Sequence, residues 1–383
     1  MTNYKNREQT EAKHFILRGY LQELAFKVLN NWDIVYVDGF SGPWKSTTSD
    51  YSDTSFMIAL SVLKDAQNKI FQAKGIRRTV KCFFSEKSKK SYAKMVSAVS
   101  SYNNPNEFFE IRTYHGKFVD AVAEIKNFMG QAFPLIFIDP TGWTEYPFDA
   151  ISPLFSSERC EVLINFMYDH VNRFVNHSDP NVVDSLNPIL GGPGWQDRLD
   201  KTIKKGPAVE KLFRQTLKNS GNFQYVVSTK IDKSVQDRPH FFLAYGTKNR
   251  NGLKAFRKVE YAALCNHARN RSAAKNRQQE LKRFMGNLFA EHEANQKRAE
   301  IDNIVAEQKK LAKERLLSFL LERKSILFSK AVDTLLQVFM LRETNIKDIC
   351  VELEREGKIQ NTWGHGNRKP DDETRLILIE RGI

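Results

Sequence analysis

No stretch of the chain reaches about 18 uninterrupted apolar residues, and Met1 to Glu11 is polar, so neither a membrane span nor a signal peptide is expected. The expected setting is cytoplasmic. Cysteine is scarce: Cys82, Cys160, Cys265 and Cys350 stand far apart, which excludes a CxxC metal or redox pair and suits a reduced compartment. Cys82 and Cys160, in or beside apolar strands, read as core. Also missing are GxxxxGKS/T, HExxH and GxSxG, and with them the phosphate-binding loop, the zinc protease and the hydrolase elbow. The eight histidines form no ligand cluster, and His170 and His177, nearly two helical turns apart, read as surface or packing residues. No metal is expected.

Positive charge, by contrast, is abundant. A formal net charge of +14 points to a polyanionic partner, although charge argues about association and not about fold. Arg269, Arg271, Lys275, Arg277, Lys282 and Arg283 crowd one segment with only Glu280 against them, and Arg77, Arg78, Lys81, Lys87, Lys89 and Lys90 flank a predicted strand. Either cluster suits phosphates, and either suits a solvated face.

With 383 residues the chain exceeds what one hydrophobic core usually organises, so two or three domains are expected. Lys13 to Asn30 carries an apolar stripe wide enough for a packed helix, and Thr54 to Ala73 repeats that spacing. Strands are predicted at Asp33–Asp38, Thr79–Ser85, Phe108–Tyr114, Phe133–Asp139 and Glu161–Phe166, alternating with helical segments. Such alternation implies a parallel sheet with right-handed crossovers. Two more candidates, Phe223–Ile231 and His240–Thr247, are separated by the polar run Asp232 to Pro239 and can pair as an antiparallel hairpin. Five parallel-type strands followed by a hairpin suit a methyltransferase-like Rossmann sheet.

Two of these strands are apolar at nearly every position and run into a carboxylate and a tight turn: Asp38-Gly39-Phe40-Ser41-Gly42-Pro43, and Asp139-Pro140-Thr141-Gly142-Trp143. Parallel sheets bind ligands at the carboxyl ends of their strands, so both turns should open onto one crevice. Asp38, Gly39 and Gly42 partly meet the need for small residues where backbone approaches a ligand. Glu86, closing strand two, stands where a ribose diol is held, and equally where an acid meets a helix N-terminus. Asp139-Pro140 resembles the opening of the Asp-Pro-Pro-aromatic turn of amino-methylating nucleic-acid methyltransferases, in which the acid and a backbone carbonyl orient the target amine. Trp143 stands one residue later than the stacking aromatic of that turn, and reads either as that platform or as a core lid. Asn165, ending strand five, either positions substrate or caps its strand. Asp139 to Pro153 holds no cysteine, which excludes the nucleophile of cytosine C5 methylation.

On these residues the chain resembles the three-Cys-motif partner proteins. The matching stretches are Lys13-His14-Phe15-Ile16-Leu17 with Tyr20-Leu21, Tyr36 to Pro43, Phe137 to Trp143, and Glu161 to Tyr168 ending in Asn172-Arg173-Phe174, within residues 5 to 265. The resemblance implies a class I methyltransferase fold, S-adenosylmethionine as cofactor, and a neighbouring radical-enzyme-like protein with a three-cysteine motif. On that basis Asp38, Gly39, Phe40, Ser41, Gly42, Glu86, Gly116 and Lys117 are expected at the cofactor, and Asp139, Pro140, Trp143 and Asn165 at the acceptor. The chain departs from the family at Trp44, which replaces a glycine, at Asp53-Thr54-Ser55 in place of Gly-Ser-Pro, and at Lys117, which replaces an acid.

Beyond residue 265 the composition turns to Glu, Lys, Arg, Ala, Gln and Leu, with no proline from Arg269 to Arg323, which reads as one or two long helices. The tail predicts a strand at Ser325–Ser329, helices at Ala331–Leu341 and Asn345–Glu356, and a hairpin of Lys358–Trp363 with Arg375–Ile379, an order resembling a winged helix. Its wing carries Arg368 and Lys369, suited to phosphate, whereas Asp348, Glu352, Glu354 and Glu356 on its second helix disfavour a major-groove role. The expected domains are thus a methyltransferase-like Rossmann unit over 1–265, a basic helical connector over 266–324 with Arg269, Arg271, Lys275 and Arg277 toward nucleic acid, and a winged helix over 325–383. Two functions suit them: methylation of a nucleic acid, DNA or RNA, at an exocyclic amine, or a degenerate methyltransferase fold that scaffolds nucleic acid or the three-cysteine protein.

Overall fold

The strands predicted as apolar throughout do form the centre of one sheet in the computed structural model, which describes residues 4, 7–43, 46–175, 177–283, 290–363 and 367–379. In chain order its first half comprises α1 (Glu8–Val28), β1 (Ile34–Asp38), α2 (Ser55–Lys74), β2 (Val80–Glu86), α3 (Lys89–Val99), β3 (Phe109–His115), α4 (Val122–Met129) and β4 (Phe133–Ile138). Then come α5 (Phe148–Ile151), β5 (Glu161–Phe166), the short helices α6 (Tyr168–Phe174), α7 (Pro180–Asp184) and α8 (Asn187–Leu190), α9 (Lys205–Gly221), β6 (Tyr225–Asp232) and β7 (Pro239–Thr247). The strand order is β3-β2-β1-β4-β5-β7-β6. The first five strands pair in parallel, and β7 runs antiparallel to both β5 and β6.

This is a Rossmann-like sheet with the terminal antiparallel hairpin expected from the sequence. Its order reverses between β1 and β4, because the chain winds outward through β2 and β3 and then crosses back to the other side of β1. Crossovers leave in opposite directions there, and a crevice opens beyond the strand ends. Register fixes what faces it: Asp38 pairs with Phe84 on one side and Phe137 on the other, and Ile138 pairs with Ile164. Asp139 and Asn165, each one step further along, therefore emerge side by side.

The core behind the crevice is built from Val35, Val37, Ile136, Ile138, Val162 and Ile164 packed against Phe118, Ile125, Tyr146, Phe148 and Phe213. At the opposite end of β5 lies a buried polar cluster. Glu161 accepts hydrogen bonds from Tyr20 Oη at 2.5 Å and Thr247 Oγ1 at 3.0 Å, and the Tyr20 and Tyr245 hydroxyls are bonded to each other. Burial pushes the Glu161 carboxyl and both phenols above their usual ranges.

Contacts divide the chain into two units, Met1–Gly252 and Leu253–Ile383. The predicted boundary at 265/266 falls inside α10 (Arg250–Arg283), a single helix. The second unit continues through α11 (Ala290–Arg323), β8 (Ser325–Leu327), α12 (Phe328–Val338), α13 (Glu343–Arg355) and β9 (Arg375–Ile377). Its core joins Ala312, Leu316 and Leu320 of α11 to Val332, Leu335, Ile349 and Leu353. β9 pairs with β8, and the predicted 358–363 strand contributes one bridge, Ile359 to Leu378. All four cysteines are buried and none forms a disulfide. Among the described residues no helix is long and apolar enough to cross a membrane.

Glu161→Ala should lower unfolding stability by roughly 3 kcal/mol, since it strands buried hydroxyls without their acceptor. Glu161→Gln, which keeps one acceptor oxygen, should cost less. Urea midpoints measure both, and equal midpoints for the alanine variant and the native chain would remove the cluster from the stability argument.

Candidate functional site

Two cavities lie over the carboxyl ends of the strands, and Phe40 lines both. The larger, about 370 Å³, is bounded by Arg7, Gln9, Thr10, Lys13 and His14 around the start of α1, by Asp53, Thr54 and Ser55, by Asp139, Pro140 and Thr141, and by Asn165, Met167, His170, His240 and Phe241. The smaller, about 310 Å³, is bounded by Gly39, Glu86, Lys87, Gly116, Lys117, Phe118, Val119, Thr144, Glu145 and Pro147.

The turn after β1 is closed by its own carboxylate. Asp38 is fully buried; Oδ1 accepts from the Phe40 N–H at 3.0 Å and Oδ2 from Ser55 Oγ at 2.6 Å, while Ser41 Oγ donates to the Asp38 carbonyl at 2.9 Å. Burial pushes the carboxyl up to about 6, against these hydrogen bonds and with the help of the Asp139 charge. Ser55, the first residue of α2, thus serves the β1 turn. Nearby, Asp53 accepts from Arg7 at 2.9 Å, from the Thr47 N–H at 3.0 Å and Oγ1 at 3.1 Å, from Thr48 Oγ1 at 3.2 Å and from Ser46 Oγ. Burial opposes its ionisation, yet these donors hold the carboxyl down at about 2. Trp44, whose bulk set the chain apart from the family, lies outside the described residues.

At the end of β4, both Asp139 oxygens are engaged. The Lys13 ammonium pairs with Oδ2, and Asn165 Nδ2 donates to Oδ1 at 2.7 Å. Asn165 is almost wholly buried, and its Oδ1 has no protein partner. Lys13 also stands 5.8 Å from the Phe241 ring centroid. Beside it, His14 Nδ1 and the Tyr4 hydroxyl are bonded at 3.0 Å. Burial, then the neighbouring Lys13 charge, pushes the His14 imidazole down to about 3, so it is neutral at physiological pH.

In the smaller cavity, Glu86 is buried at the end of β2 and accepts from the Ser88 N–H at 2.6 Å, which starts α3. Its carboxylate serves the helix start and also lines the cavity. A Cβ on Gly39 would lie 2.8 Å from the Phe118 ring, and one on Gly116 would lie 2.5 Å from the Tyr114 ring. Lys117 is exposed, and Lys87 pairs with Glu145 across the mouth.

Most predicted site residues therefore converge: Phe40, Gly42, Asp139, Pro140 and Asn165 line the larger cavity, and Gly39, Phe40, Glu86, Gly116 and Lys117 the smaller. Asp38 and Ser41 sit beneath as the buried frame of the turn. Trp143 lines neither; its indole N–H donates to Ser185 Oγ at 2.9 Å and its ring packs on Phe174 at 5.0 Å, as a core lid does. Arg269, Arg271, Lys275 and Arg277 lie on α10, with Arg269 exposed. Arg368 is exposed, and Lys369 pairs with Asp348 of α13 at 2.6 Å. Sequence reasoning passed over Arg7, Lys13, His14, Asp53, His170, His240 and Phe241 as site residues. Lys13-His14 did stand within a stretch on which a family resemblance was read, but nothing local to it signals a partner 126 residues away. Among the described residues no group of three or more His, Cys, Asp or Glu has metal-holding geometry.

No family model and no curated protein matches the chain. Among solved structures it is similar to the O-methyltransferase from Bacillus cereus in complex with SAH, at 16% identity and a TM-score of 0.30, covering 60% of this chain and 80% of that one. A likeness at that level carries no argument, and the fold rests on the strand order.

The raised Asp38 carboxyl makes a prediction with a fixed sign. The unfolded chain releases this proton near 3.8 and the folded chain near 6, so the stability it contributes is complete below about pH 3.8 and is lost as pH rises through about 6. The stability difference between the native chain and Asp38→Asn should therefore shift by up to about 3 kcal/mol between pH 4 and 7. A pH-independent difference in chemical denaturation would place the Asp38 proton elsewhere.

Proposed function

We propose that the chain is an S-adenosylmethionine-dependent methyltransferase that modifies a nucleic acid at an exocyclic amine. The observation that carries this reading is the pair of cavities sharing Phe40 at the sheet's switch point, one holding Glu86 and the other Asp139. The smaller cavity suits the adenosine portion of the cofactor. It offers a strand-end carboxylate for a ribose diol and apolar surface from Phe118 and Pro147, with Gly39 and Gly116 in its wall. When bound, S-adenosylmethionine supplies an electrophilic methyl group.

The chain's own residues hold the acceptor. Asp139 and the Pro140 carbonyl accept hydrogen bonds from an incoming amine and so direct its lone pair. Asn165 fixes the Asp139 rotamer through the 2.7 Å bond and acts as a positioning residue. Lys13 occupies Asp139 Oδ2 as an amine would, and shares or yields that oxygen when substrate enters. Phe40 and Phe241, which line the cavity, take the stacking role expected of Trp143.

The second unit fits the same reading as a winged helix, with α11 and α12 packed on β8, α13 packed on both helices, and β9 paired with β8. The acids of α13 face lysines of α11: Lys309 with Glu352, and Lys313 with Glu352 and Glu356. Glu352 and Glu356 are thereby paired within the unit, and Asp348 pairs with Lys369 of the wing, while the exposed Arg368 is offered to phosphate. A three-Cys-motif, radical-enzyme-like protein remains the proposed protein partner. The alternative reading, a degenerate scaffold, is favoured by Lys117 in the cofactor cavity and by the filling of Asp139 by Lys13.

Isothermal calorimetry decides between them. S-adenosylhomocysteine should bind the native protein, and Glu86→Gln should weaken it at least tenfold, the effect of losing hydrogen bonds to a charged acceptor. Binding that appears only after Trp44→Gly and Lys117→Asp are combined would establish the scaffold instead.

A further inference from the structure

Beside His170 and His240, which line the larger cavity, stands a group of cations that the proposed transfer chemistry does not use. Asp169, in the first turn of α6, faces three of them: Lys233 Nζ at 2.6 Å, Arg173 NH2 at 3.2 Å and Arg238 NH1 at 3.9 Å. The other pairs around the cavity balance one to one, Arg7 with Asp53 and Lys13 with Asp139. At the end of β6 Asp232 is paired with Lys230, and in the turn that follows Asp237 is exposed. With Asp237 counted against the three cations, the rim remains net positive.

The geometry leaves both arginines accessible. The Arg173 and Arg238 side chains are 61% and 57% exposed, so each guanidinium, with five N–H donors, still turns N–H groups to solvent after meeting Asp169. The field extends into the cavity. His170 and His240 both line it, and the imidazoles are pushed below their ordinary range, first by burial and then by Arg173 and Lys233 for His170 and by Lys233 for His240. His240 Nδ1 is buried with no protein partner. A net positive group beside a cavity raises the local concentration of an anion approaching it.

We propose that this rim, Arg173 of α6 with Lys233 and Arg238 of the β6–β7 turn, is a phosphodiester-binding site that seats the backbone of a single nucleic-acid strand while one nucleotide enters the larger cavity. The inference rests on the nucleic-acid reading of that cavity and adds where the strand is held. A planar guanidinium pairs with two phosphate oxygens at once, and two arginines on separate elements can grip successive phosphates. Asp169 keeps the three cations together in the free protein and lowers their net attraction for an anion. That gives it a diagnostic sign: removing its charge should strengthen binding, whereas removal of a merely structural acid should not.

The test is fluorescence anisotropy of a labelled single-stranded 12-mer, DNA and RNA in turn, across a salt series, with calorimetry of S-adenosylhomocysteine on the same samples. Arg173→Ala with Arg238→Ala should weaken strand binding at least tenfold and reduce the log–log salt slope by about 1.4, the value for two lost phosphate contacts on a single strand. Asp169→Asn should tighten binding about threefold or more. Both arginines are exposed, so their double variant should keep the native melting temperature, which guards against misfolding as the cause. Unchanged affinity and slope in that double variant would overturn the site. So would weaker binding by Asp169→Asn at an unchanged melting temperature. A native protein that binds S-adenosylhomocysteine but no strand would overturn it while leaving the cofactor reading intact, and one that binds the strand with the predicted slope but no S-adenosylhomocysteine would keep the site and end the methyltransferase reading.

Discussion

Placing Asp38 and Asp139 at the ends of adjacent parallel strands sets the terms for everything around the crevice. Burial raises the cost of ionising Asp38, and the Asp139 charge beside it adds to that cost. The fold resolves the conflict asymmetrically. Asp38 is withdrawn from water and given only neutral donors, the Phe40 N–H and the Ser55 hydroxyl, whereas Asp139 is left partly exposed and given a full cation from α1. One acid thereby becomes the frame of a turn, and the other stays within reach of a ligand. The position of α1 follows, because Lys13 must arrive over the end of β4.

The same logic explains why the sheet was legible in the sequence and much of the cavity was not. Unbroken apolar runs at β1, β4 and β5 announce strands buried on both faces, and the carboxylates that end two of them announce the crevice. The helix over Lys13 to Asn30 was signalled by an apolar stripe beginning at Phe15, but α1 starts at Glu8. That extra turn is polar, carries no period, and lines the cavity through Gln9 and Thr10, just ahead of Lys13 and His14. Asp53 lay hidden in a Gly, Ser, Thr and Asp-rich loop, where only the folded arrangement of Arg7, Ser46, Thr47 and Thr48 distinguishes it from its neighbours. Trp143 was legible only as two alternatives, a platform or a core lid. Its place after Asp139-Pro140 suggested a platform, but Phe174 and Ser185, contributed by α6 and the segment after α7, claim the ring from the far side.

The antiparallel hairpin does more than finish the sheet. Because β7 runs against β5, its first residues, His240 and Phe241, lie beside the carboxyl end of β5 and so beside Asn165. The turn between β6 and β7 is brought to the same edge, which is how Lys233 meets Asp169 of α6. A seventh strand in the parallel direction would present its amino end elsewhere and leave that rim without its cations.

Glycine, usually the strongest local mark of a cofactor loop, is weak evidence in this chain. Gly39 and Gly116 are each required by an aromatic ring lying where a Cβ would stand, Phe118 in one case and Tyr114 in the other. Packing alone accounts for both positions, whether or not a ligand approaches. Neither glycine has the positive φ that would demand the residue on backbone grounds. What packing does not require is a carboxylate in the wall of a cavity. A helix start can be capped by Ser88 itself, whose Oγ accepts from the Ser91 N–H, so the additional burial of Glu86 beside that cap is the costlier and more informative choice. The weight of the cofactor reading accordingly rests on Glu86.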